Sequence, residues 1–196
     1  MEYSENKKEI ILNRELNELD KFVLDFCEIL GNDYVIVSGY VSILFGRSRA
    51  TEDVDLLAPK MNMEEFYIVW EKITKKFECI NTSDPKEAFD MLNEFAIRFC
   101  RKGKPVPNME FKIIKNDIDE YSLKNKIDVI INQRKLFISP LEMQIAYKLY
   151  LSSEKGDKDI EDARHLYRLF LDKLNKEKLS SFISKLKAGS KFKWIE

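Results

Sequence analysis

The chain has 196 residues, 44% of them apolar and 34% charged, with six glycines and five prolines. That length supports one solid core with a helical extension, and the composition excludes a disordered, fibrous or linker protein. A formal net charge of −1 excludes a strongly basic nucleic-acid binder overall while leaving local patches open.

No apolar run reaches the ~18 residues of a membrane span, and the polar opening at residues 1–8 lacks a signal-peptide core, so a cytoplasmic protein without membrane contact is expected. Cys27, Cys79 and Cys100 are widely spaced without a CxxC, and His165 is the only histidine. This argues against disulfides and zinc. Cys27 and Cys100 read as small buried hydrophobes and not as catalytic thiols.

In chain order, residues 13–30 carry Leu16, Leu19, Phe22, Val23, Phe26 and Leu30 at helical spacing, which predicts an amphipathic opening helix ended at Gly31. Residues 34–37 are apolar and β-branched, a strand. Ser38-Gly39 turns the chain into a short helix over 40–45 that stops at Gly46. Arg47 and Arg49 lead through Thr51 into a second strand at Asp53-Val54-Asp55.

A second helix is predicted over 63–77, with Phe66, Val69, Trp70 and Ile73 inward and Trp70 in the core. A short helix-like segment covers 86–92. The alternation of 95–100, turn residues at 101–105 and the alternation of 108–114 predict a hairpin in which Met109, Phe111 and Ile113 share one face and Glu110 and Lys112 the other. Residues 117–125 read as a polar, solvent-facing stretch, and 127–131 with 135–138 as a last hairpin.

Ser139 as N-cap, Pro140 at the first helical position and Glu142 at the third predict a helix to about residue 151. Another runs over 159–174 with Ile160, Ala163, Leu166, Tyr167 and Phe170 inward, and His165 reads as a partly buried structural residue. The lysine-rich stretch 173–193 reads as a solvated face, or, with Phe192 and Trp194 interleaved, as a surface for RNA phosphates and bases. Residues 1–138 are therefore expected to form a core with an N-terminal helix, and 139–196 a helical portion packed on it.

One constellation carries chemistry. Side chains alternate along a strand, so Asp53 and Asp55 point the same way, roughly 6.5–7 Å apart, a geometry for divalent metal ions. Upstream, a glycine turn opening a helix can hold phosphate oxygens that such ions would bridge.

Ser38-Gly39, Gly46, Arg49, Thr51 and Asp53-Val54-Asp55 together resemble the signature of the polymerase-β-like nucleotidyltransferase superfamily, in particular its branch of AbiEii-type toxins and related small prokaryotic proteins. Ser139-Pro140-Leu141-Glu142 with Lys148, and Lys158-Asp159 with Asp162-Ala163, are similar to the C-terminal helical part of that branch, so the resemblance spans about residues 35–165. It implies an α+β fold, a small mixed sheet flanked by helices with a helical C-terminal portion.

The resemblance further implies Mg²⁺ or Mn²⁺ at Asp53 and Asp55, an NTP substrate held by Ser38, Gly39, Arg49, Thr51, Lys148 and Asp159, and a third carboxylate on a later strand. Glu110 is the candidate for that third metal-binding and catalytic position; a register placing Lys112 there instead would make the protein an inactive nucleotide-binding module. Asp117 and Asp119 mimic the acidic pair without strand flanks. Arg49 reads either as a surface ion-pair residue or a phosphate contact, Lys148 as a snorkelling lysine or a triphosphate contact, and Asp159 as a helix-start carboxylate or a partner orienting Lys148. The implied partners are NTP, an RNA (tRNA), protein or small-molecule acceptor, and an antitoxin.

Overall fold

Asparagine caps decide where four of the described helices begin, at Asn17, Asn62, Asn116 and Asn175. The computed structural model describes residues 1–4 and 8–196. It opens with two strands, β1 (Glu2–Ser4) and β2 (Glu9–Leu12), which the polar composition of the opening concealed; residues 5–7 of that opening lie outside the described residues. Helix α1 (Glu18–Leu30) starts later than the apolar periodicity predicts, because Asn17 and Asp20 form a reciprocal capping box there. After β3 (Val35–Val37), α2 (Gly39–Leu44) and β4 (Asp53–Ala58), α3 (Met63–Thr74) is started by a second such box, Asn62 with Glu65. Phe77, expected to close that helix, begins β5 (Phe77–Cys79) instead.

Next come α4 (Pro85–Glu94), β6 (Ile97–Arg101), β7 (Lys104–Ile113) and α5 (Asp117–Lys124). The stretch over 117–125, expected only as polar and solvent-facing, is helical, and the Asn116 side chain caps it by accepting from the N–H groups of Ile118 and Asp119. Strands β8 (Ile127–Ile131) and β9 (Arg134–Ile138) form the expected hairpin, followed by α6 (Leu141–Leu151), α7 (Lys158–Phe170), α8 (Lys176–Lys185) and α9 (Gly189–Phe192). Ser139 does not cap α6. Its hydroxyl instead donates to Gln144 Oε1 at 2.9 Å.

Among the described residues the strands form one nine-stranded mixed sheet in the order β1-β2-β8-β9-β3-β4-β7-β6-β5, larger than the small sheet expected. Strands β4 and β7 are parallel neighbours near its centre, with β3 antiparallel to β4 and β6 antiparallel to β7. One hydrophobic cluster runs from Ile10 through Phe26, Phe99 and Phe111 to Ile145, Leu166 and Ile195, so helices from 139–196 and strands from 1–138 share it. Trp70 belongs to this core, Cys27 and Cys100 are buried free thiols, and burial raises the Cys27 thiol far above its usual range.

The terminal stretch is not a solvated lysine face throughout. Leu179, Ile183 and Ile195 are buried, Phe192 meets Tyr167 edge to face, and the Trp194 carbonyl accepts from Arg164. Phe192 and Trp194 are partly buried and pack against the core. Among the described residues no helix is long and apolar enough to cross a membrane.

Candidate active site

The turn between β3 and α2 is held in a conformation its own sequence disfavours. Ser38 has φ +62° and ψ −135°, a region glycine tolerates and a side chain resists. Gln144 of α6, only 2% exposed, holds it there: the Ser38 N–H donates to Gln144 Oε1 at 3.1 Å, and Gln144 Nε2 donates to the Ser38 carbonyl at 2.6 Å. Sequence reasoning missed Gln144; its signal was one amide within an apolar helix.

Strand β4 has Val54 and Leu56 buried on one face, which leaves Asp53 and Asp55 on the other. Its parallel register with β7 pairs Asp53 with Asn108, Asp55 with Glu110 and Leu57 with Lys112. Glu110, and not Lys112, therefore stands level with Asp55. Lys112 reaches back, placing Nζ 2.6 Å from Asp55 Oδ1 and 2.8 Å from Glu110 Oε1. Arg98, the β6 partner of Glu110, adds an ion pair at 3.1 Å.

Burial by itself would raise the Glu110 pKa, but Lys112 and Arg98 together outweigh it and hold the carboxyl below its usual range. Burial likewise opposes the charge on Lys112, and Asp55 and Glu110 outweigh it, raising the ammonium pKa. Thr51 supports the same strand from below, its hydroxyl donating to the Asp53 carbonyl at 2.9 Å and lying 3.2 Å from Asp53 Oδ1.

Ser38, Asp55, Arg98, Glu110, Lys112 and Tyr147 border a cavity of about 610 Å³. Asp119 also borders it, although its Oδ2 is occupied by the Lys115 N–H at 2.9 Å and its partner Asp117 opens α5.

Arg49, Lys148 and Asp159 gather elsewhere, in an ion cluster where α2 meets α6 and α7. Lys148, 2% exposed, lies 2.6 Å from Asp159 Oδ1 and 3.0 Å from Asp162 Oδ2. Fully buried Asp162 also takes Arg47 at 2.6 Å and lies within 3.3 Å of Arg49 Nε. The Arg49 guanidinium lies over Gly39. Arg49, Lys148 and Asp159 thus do not border the cavity but sit behind the turn that does. Asp162, met in the sequence as part of the Lys158-Asp159 and Asp162-Ala163 pattern, is the hub of the cluster.

Compared with family models and with curated proteins, the sequence matches none. Compared with solved structures, the chain is similar to an antigenic nucleotidyltransferase-like protein from Paracoccidioides brasiliensis, at 17% identity and TM-score 0.52 over 87% of this chain and 88% of that one. It is also similar to ANT(2″)-Ia in complex with adenylyl-2″-tobramycin, at 14% identity and TM-score 0.54 over 88% of this chain and 97% of the other. The solution structure of the same antibiotic-resistance factor matches at 12% identity and TM-score 0.52, over 86% and 92% of the two chains. The chain has the nucleotidyltransferase fold.

On this nucleotidyltransferase fold, among the described residues, no three His, Cys, Asp or Glu side chains are drawn together closely enough to hold a metal ion. The donors nevertheless suit a hard divalent cation in kind. They are carboxylate oxygens on one sheet face, and an ammonium already lies between two of them.

Proposed function

We propose that this chain is a metal-dependent nucleotidyltransferase that moves a nucleoside monophosphate from an NTP to a hydroxyl acceptor with release of pyrophosphate. The observation that carries this reading is the Asp55–Glu110 pair, level on adjacent strands, gathered about a cation at the wall of the cavity that also meets Ser38. Asp53, Asp55 and Glu110 are the residues that would hold Mg²⁺ or Mn²⁺, which when bound neutralises phosphate charge and eases deprotonation of an attacking hydroxyl.

The chain's own groups supply the rest. The Ser38 N–H is committed to Gln144, so the first-turn N–H groups of α2 from Gly39 onward, which no helix carbonyl can serve, are those that face phosphate oxygens. Arg49, packed over Gly39, adds positive charge behind them, and the Asp162 cluster fixes Arg49 and Lys148 in place. Glu110, kept ionised, accepts the hydroxyl proton as the acceptor oxygen bonds to the α-phosphorus and the bond to pyrophosphate breaks.

The acceptor is a hydroxyl of RNA such as a tRNA end, of a protein, or of a small molecule. The adenylyl adduct in the ANT(2″)-Ia complex supports the last class, and the motif resemblance to AbiEii-type proteins supports a toxin paired with an antitoxin. Incubating the protein with α-labelled NTPs and Mg²⁺ in a cell extract, beside an Asp53→Ala/Asp55→Ala control, tests the reading. Label transferred to RNA, protein or small molecules above the control supports it. NTP binding with no transfer above the control refutes it and leaves an inactive nucleotide-binding module.

A further inference from the structure

Lys112 stands one register step beyond the carboxylates, paired with Leu57, yet its ammonium returns to touch both Asp55 and Glu110. A divalent cation bridging those two carboxylates needs the same space. Mg²⁺ binds oxygen at about 2.1 Å in a near-octahedral shell, whereas the ammonium holds the two oxygens at 2.6 and 2.8 Å. The ammonium thus occupies the space between the two oxygens that a divalent ion would need, and two cations that close together repel each other.

Lys112 also has somewhere to go. Its side chain is 34% exposed and borders the 610 Å³ cavity, so swinging aside requires no repacking of the core. The charges around it are Asp55 on β4, Glu110 on its own strand, Arg98 on β6, which pairs with Glu110, and Lys115 and Asp119, which border the same cavity.

We propose that Lys112 is an intramolecular competitor for the metal position: its ammonium is the resident cation of the Asp55–Glu110 pair and must be displaced before a divalent ion can bridge them. This rests on the metal-dependent reading above and goes beyond it. Phosphate oxygens entering the cavity offer the displaced ammonium a new partner. Nucleotide and metal consequently bind with positive coupling in the wild-type protein, and the coupling weakens when the ammonium is removed.

The test is a Mn²⁺ titration of the purified full chain followed by electron paramagnetic resonance of the free ion, for wild type, Lys112→Met and Lys112→Arg, with and without NTP. Lys112→Met should bind Mn²⁺ at least tenfold more tightly than wild type without nucleotide and gain less from added NTP; Lys112→Arg should stay near wild type. Thermal melting of the same samples guards against misfolding: Lys112→Met should melt lower than wild type without metal and be raised more by Mn²⁺. Equal, measurable Mn²⁺ affinity in wild type and Lys112→Met overturns the competitor role while leaving the metal-dependent reading intact. Absence of Mn²⁺ binding in every variant overturns both.

Discussion

A Cβ placed on Gly39 would stand 1.9 Å from Nη2 of Arg49. The glycine is required by that guanidinium, and not by the backbone, since only Ser38 beside it has a positive φ. Because the clashing atom ends a side chain that must then give up its place beside Asp162, Gly39→Ala should cost about 1–2 kcal/mol while driving Arg49 off the turn. Expected is a small drop in melting temperature with at least a tenfold loss of nucleotidyl transfer; an unchanged transfer rate would remove Arg49 from the phosphate site.

Gln144 and Ser38 should behave as a coupled pair. Gln144→Leu strips both clamping hydrogen bonds from a buried turn and should destabilise by about 2–3 kcal/mol. Ser38→Gly relieves the strained φ, so its own effect should stay within about 1 kcal/mol and it should recover part of the Gln144→Leu loss. Urea unfolding of the two single variants and the double variant reads this directly.

Asp162 sits with no exposure among Lys148, Arg47 and Arg49. Removing it takes away the carboxylate that pairs with Arg47 and Arg49 and leaves Lys148 with Asp159 alone, so Asp162→Ala should cost about 3–5 kcal/mol. Asp159→Ala should cost less, because Lys148 keeps Asp162 as a partner. Adding Lys148→Met to Asp162→Ala should restore stability, a non-additivity that denaturant melts would reveal.

Acid unfolding should run through Asp20. Burial favours its neutral form, but Arg14 at 2.6 Å, the Asn17 N–H and the Tyr40 hydroxyl outweigh that and lower its pKa. The folded carboxyl thus binds its proton less tightly than the unfolded one. Its contribution is complete above the unfolded value of about 4 and fades as pH falls through the lower folded value. Glu110 has the same sign. Melting temperature followed from pH 7 to pH 2 should fall less steeply for Asp20→Asn, which starts lower at pH 7.

Much of this architecture was legible because it is local. The two strands of the site alternate with one buried face, and Met109, Phe111 and Ile113 fixed which side Glu110 would take. What escaped depends on partners distant in sequence. Gln144 meets Ser38 across 106 residues and Asp162 meets Arg47 across 115, and no periodicity reports such pairs. Whether Glu110 or Lys112 would stand level with Asp55 required the β4–β7 register, a pairing of segments about 55 residues apart. The lysine-rich tail misled because its composition concealed the widely spaced apolar contacts of Leu179, Ile183 and Ile195.

If the carboxylate face of β4 and β7 performs transfer, the reaction depends on Glu110. The rate of α-label transfer by Glu110→Gln at saturating NTP tests it most directly, with NTP affinity measured alongside. General-base contributions are about 10²–10⁴-fold, so transfer should fall at least a hundredfold with NTP still bound. A Glu110→Gln protein that transfers label at the wild-type rate would contradict the account.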